Sequence, residues 1–198
     1  MKKVNNKGLT IIELLVCFVM VAVISITLLN IIMNYRSAQE TENVKNIIRA
    51  YKNTVTKTLQ YDIISHGLQS VSVDNSKMDI GELTIDLEFN NPIDDSGETT
   101  KQLKIVAKGT ENYIQYPDTV KTIDDTYKNQ IVKYELPHTT KIYTKDSSNN
   151  DVKVTKNDIY FILEEPVISN GVFYLNIPIE HSEINSTYAI TIVVPILD

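Results

Sequence analysis

Lys7-Gly8-Leu9-Thr10-Ile11-Ile12-Glu13-Leu14-Leu15-Val16 joins a short basic head to a long apolar run. Residues 9–33 are almost wholly apolar, and Glu13 is their one charged side chain. As a helix, these roughly 25 residues would extend about 37 Å at 1.5 Å per residue, more than the ~30 Å hydrocarbon core of a bilayer. A carboxylate inside such a segment costs about 2.5–3.5 kcal/mol or more at the bilayer centre. Glu13 therefore calls for either a nearby aqueous face or a specific partner.

The flanks set the orientation. Lys2, Lys3 and Lys7 precede the run and only Arg36 follows closely. The positive-inside bias then places the N-terminus in the cytoplasm and the bulk of the chain outside. An ordinary secretory signal has a shorter apolar core and a small-residue cleavage site behind it. Asn34-Tyr35-Arg36 offers no such site. An uncleaved signal anchor also fits these flanks, but it gives Glu13 no task.

The tract from Gly8 to Glu13 resembles the processing site of type IV prepilins: a glycine, an apolar residue, and a glutamate at the fifth mature position. The resemblance covers about 30 residues. It implies cleavage after Gly8 by a membrane aspartyl prepilin peptidase, N-methylation of Leu9, and pairing of Glu13 with the new N-terminal amine of a neighbouring subunit. Lys2, Lys3 and Lys7 would be the positive charges of a leader spanning residues 1–8. The implied product is a filament subunit, held in the bilayer before assembly and delivered through an inner-membrane assembly platform to other pilin subunits. Two features differ from common major pilins. Leu9 stands in place of Phe, and Asn30 occupies the place of a mid-helix proline. The second favours a minor pilin over a major one. Many pilins also carry a disulfide near the C-terminus, whereas the single cysteine here is Cys17, within the apolar run.

Past the apolar run the helical period continues. Val44, Ile47, Ile48, Tyr51, Val55, Leu59 and Ile63 recur at three- and four-residue steps between charged and polar residues, with Gly67 as the stop signal. The sequence thus predicts one helix to about His66, with an amphipathic second half at residues 34–66. That stripe fits packing on a domain core better than a coiled-coil partner.

Beyond Gly67 the period changes to two. Leu83, Ile85, Leu87 and Phe89 alternate with polar residues, and Leu103, Ile105 and Ala107 supply a partner strand. Further strands are expected at 131–136, 141–144, 159–163, 172–179 and 188–196, with Asn170-Gly171 as a hairpin signal. Pro178 and Pro195 favour sheet edges or strand ends. The expected class is α+β: a long helix, transmembrane then amphipathic, packed on an antiparallel sheet formed within residues 67–198. Pilins and pseudopilins share this plan.

Composition narrows the function. The chain has 198 residues and a formal charge of -6. Without Lys2, Lys3 and Lys7 its 19 basic residues fall to 16 against 25 acidic ones, a balance of -9. Nonspecific nucleic-acid binding rests on basic side chains, so no nucleic-acid partner is expected. His66, His138 and His181 stand apart, Ser182 beside His181 makes no nucleophile arrangement, and the six glycines form no phosphate loop. No enzyme activity and no cofactor are expected. Two acidic stretches carry oxygen ligands of the kind calcium takes: Asp146, Asn149, Asn150 and Asp151, and Asp94, Asp95 and Glu98. Both also read as solvated turns. The leading expectation is a minor pilin of a type IV pilus or related filament. A pseudopilin of a type II secretion or competence machine is the near alternative, and a non-assembling, signal-anchored binding domain is the rival of another class.

Overall fold

A computed structural model describes residues 11–109, 111–121, 127–137, 140–145, 151–156, 159–182 and 187–197. The chain forms two compact units, residues 1–44 and 45–198. One helix, α1 (Ile11–His66), contributes to both. Its last turn ends as expected at Gly67, whose φ of 70° suits the left-handed C-terminal position. The Gly67 amide donates to the carbonyls of Ile63 and Ile64 at 3.2 and 3.3 Å.

In the second unit α1 presents Ile48, Val55, Leu59 and Ile63 to the core, each 1 % exposed or less. Val44 and Tyr51 are half-buried and Ile47 is exposed, so the predicted stripe is narrower than its sequence pattern. Asp62 joins the buried face.

The fold is α+β as expected, a long helix packed on antiparallel sheet, with the strands divided among two sheets and a separate hairpin. The first sheet runs in order β1 (Leu68–Asp74), β2 (Glu82–Phe89), β3 (Thr100–Lys108), β4 (Glu111–Lys121) and β5 (Tyr127–Glu135), every neighbour antiparallel. A short 3-10 turn, Met78–Ile80, precedes β2. The hairpin is β6 (Thr140–Lys145) with β7 (Asp151–Lys156). In the second sheet β10 (Val172–His181) is central, with β11 (Tyr188–Pro195) on one side and β8 (Ile159–Phe161) and β9 (Val167–Ser169) on the other. Asn170-Gly171 turns β9 into β10, with φ of 51° and 70°.

Pairing carries the core across each sheet. Leu83 faces Ile105, which faces Ile114, and Ile85 faces Leu103. In the second sheet Phe173, Leu175 and Ile177 face Val194, Ile192 and Ile190. All these side chains are 1 % exposed or less. Asn112 links the two sheets: its Oδ1 accepts from the Phe161 amide at 3.1 Å, and its carbonyl accepts from Leu136 at 2.8 Å. The outward face of the first sheet carries cross-strand polar pairs, such as Gln102 with Asp86 and Lys104 with Glu82.

Pro195 ends β11 as expected, but Pro178 lies inside the central strand. The physical reason is a gap in the neighbouring edge. β9 pairs with β10 only through Tyr174, and β8 pairs from Ile179 onward. Within a strand N–H and C=O of one residue point to the same side, and the Pro178 carbonyl accepts from the Ile162 amide. The missing N–H therefore faces Ile162, one residue past the end of β8, so the bond it cannot make falls where that short partner has already ended.

Candidate functional site

The predicted processing residues Lys2, Lys3, Lys7, Gly8 and Leu9 lie outside the described residues, as do Asp146 and Asn149. Glu13 falls in the first turn of the described helix. Around and beyond it, every large apolar side chain of residues 11–33 is between 49 % and 86 % exposed, on all sides of the helix. This is the one helix among the described residues that is long and apolar enough to cross a membrane. Its polar side chains are already satisfied in part. Ser25 Oγ donates to the Val21 carbonyl at 2.8 Å, and Thr27 Oγ1 to the Val23 carbonyl at 2.9 Å. Such bonding back by one turn lets hydroxyls sit in apolar surroundings. Cys17 is exposed on the same segment.

A second polar centre lies in the core, where the sequence pattern suggested only apolar packing. Asp62 on α1 reaches Lys101 on β3, with Lys101 Nζ donating to Asp62 Oδ2 at 2.8 Å. The Tyr116 hydroxyl on β4 donates to the same oxygen. His66 Nε2 lies 3.6 Å from Oδ1. The Lys101 ammonium also stands 5.1 Å from the Tyr116 ring centroid. The Lys101 side chain is fully buried and that of Asp62 is 12 % exposed. Burial, and after it the negative charge of Asp62, pushes the Tyr116 hydroxyl well above its ordinary pKa, so it stays a donor.

A signal for this cluster was present in the sequence. Lys101 is in phase with Leu103 and Ile105 on the inward face of β3, and Asp62 is in phase with Val55 and Leu59 on α1. Tyr116 follows Asn112 and Ile114 at the same period. Opposite charges on the inward phase of two elements mark a buried pair.

Tyr51 adds a tie between α1 and β5, donating to the Tyr134 carbonyl at 2.7 Å. Its hydroxyl, too, is held well above the usual range, first by burial. Beside the cluster, Tyr61 and Ile64 line an open groove with Lys57, His66 and Asp118.

Asp94 Oδ1 accepts from the Ser96 amide at 2.9 Å and from the Ser96 hydroxyl, an Asx turn that shapes its own loop. The Ile93 amide donates to the Glu98 carbonyl at 2.7 Å and its side chain is buried, which closes that loop on the core. Asp151 begins β7 and pairs with Lys145. No group of three or more His, Cys, Asp or Glu side chains converges on a metal-sized site among the described residues. His181 ends β10, and His138 lies outside the described residues.

Comparison with protein-family models, with curated proteins and with solved structures finds no match.

Proposed function

We propose that the chain is a structural filament subunit, a minor pilin of a type IV pilus or a related filament. Prepilin peptidase cuts it after Gly8, Leu9 is N-methylated, and the subunit assembles through its N-terminal helix. The observation that carries this reading is a single one. The sequence places a Gly8–Leu9 junction just ahead of Glu13, and the helix from Ile11, apolar in its first half, runs to His66, where its second half is the helical layer of a β-rich domain. Membrane residence before assembly, an extracytoplasmic C-terminal domain and docking to the assembly platform follow from the same reading.

The apolar surface of residues 11–33 needs cover, first from lipid and then from the helices of other subunits. In a dry filament core, the methylated amine of Leu9 and the Glu13 carboxylate of a neighbour neutralise each other. Removing one member of a buried pair costs about 3–5 kcal/mol. Glu13→Ala should therefore weaken subunit association by about a hundredfold or more while leaving membrane insertion and folding intact. Co-purification of tagged and untagged subunits from membranes reads the association. Equal recovery of wild type and Glu13→Ala contradicts the assembly role and favours the non-assembling anchored domain.

A further inference from the structure

The Asp62 cluster has a consequence that does not rest on the filament reading. We propose that Lys101 and Asp62 condense to an intramolecular isopeptide bond between Nζ and Cγ, which ties α1 covalently to β3. The two groups come from positions 39 residues apart and meet with Nζ 2.8 Å from Oδ2. Their surroundings supply what amide formation needs. The Lys101 side chain is fully buried and that of Asp62 nearly so, which keeps bulk water away from the two reacting groups. The Tyr116 hydroxyl donates to Oδ2, where negative charge builds as Nζ adds to Cγ. The His66 imidazole stands beside Oδ1, placed to carry a proton to it. Asp62 and His66 both line the groove open to solvent, which gives the leaving water a way out.

The step balances without a co-reactant. The ammonium of Lys101 gives up two protons, both of which end on Oδ1. The nitrogen lone pair forms the new N–C bond to Cγ, and the Cγ–Oδ1 bond breaks with its electrons on oxygen. Oδ1 departs as water, Oδ2 remains as the amide carbonyl held by Tyr116, and nitrogen keeps one hydrogen. One positive and one negative charge vanish together, so no oxidant, reductant or activating group is required.

The test is the intact mass of the detergent-extracted full chain under denaturing conditions, followed by proteolytic peptide mapping. The expected wild-type protein is lighter than its sequence by one water and yields a branched peptide joining the Asp62 and Lys101 segments. Lys101→Arg, which keeps the charge but cannot form this amide, should restore the full mass and two separate peptides. A wild-type protein of full mass overturns the proposal. So does a missing water without the branched peptide, because that places the loss at a succinimide elsewhere. The wild-type measurement decides the matter even if the variant fails to fold.

Discussion

Lys101 Nζ and Asp62 Oδ2 lie 2.8 Å apart, and the lysine side chain has no exposed surface at all. This is where the helix and the first sheet are held in register. Apolar contacts elsewhere on the stripe fix no direction, whereas a charged pair at hydrogen-bonding distance does. Asp62→Ala leaves a charged Lys101 side chain in the core without this carboxylate and removes the proposed cross-link, so it should cost at least about 3–5 kcal/mol of stability. Asp62→Leu combined with Lys101→Met leaves no charge behind and should be more stable than Asp62→Ala alone. Denaturant unfolding of the three proteins checks the order.

Alkaline pH should expose the two buried tyrosines that tie α1 to the sheet. Tyr51 and Tyr116 have folded-state pKa values raised above their unfolded value of about 10. A raised value means that the folded state holds the proton more tightly. The stabilisation is therefore fully present below about pH 10 and is lost as pH rises above it, by about 1.4 kcal/mol per pH unit for each tyrosine. Unfolding midpoints measured from pH 8 upward should be flat and then fall. Tyr51→Phe should lower the stability at pH 8 and make the alkaline decline shallower.

Two glycines with nearly the same backbone should respond differently to one methyl group. Gly81 and Gly97 have φ of 83° and 82°. A Cβ at Gly97 meets nothing within 4 Å, so Gly97→Ala should cost only the left-handed backbone penalty, about 1–2 kcal/mol. A Cβ at Gly81 would stand 2.4 Å from the Ala107 carbonyl oxygen, whose own amide donates to Gly81. Gly81→Ala must push β3 away from the start of β2 and should be clearly the more damaging in a thermal melt.

What the sequence made legible follows from which residues alternate cleanly. Leu83 to Phe89 on β2 and Leu103 to Ala107 on β3 announce themselves, because their polar neighbours face water and their apolar ones do not. The α1 stripe through Val55, Leu59 and Ile63 is legible for the same reason. β4 escapes because Pro117 cuts off the alternation directly after Ile114 and Tyr116, and the strand accommodates it because the pairing with β3 stops at Gln115. β1 escapes because Leu68 is its one fully buried residue and a bulge breaks its alternation. β9 has only three residues, all exposed, and is held by its turn into β10. The Asp62 cluster escapes for a different reason: a charged residue in an apolar phase reads as solvent-facing until its partner on another element is known.

The central claim is that the chain is a processed filament subunit, and the intact mass of the membrane-extracted protein coexpressed with a prepilin peptidase tests it most directly. The account predicts that wild type loses Met1–Gly8 and gains one methyl group on Leu9, and that Gly8→Ala abolishes both changes. A wild-type chain that stays uncleaved beside a competent peptidase would contradict it.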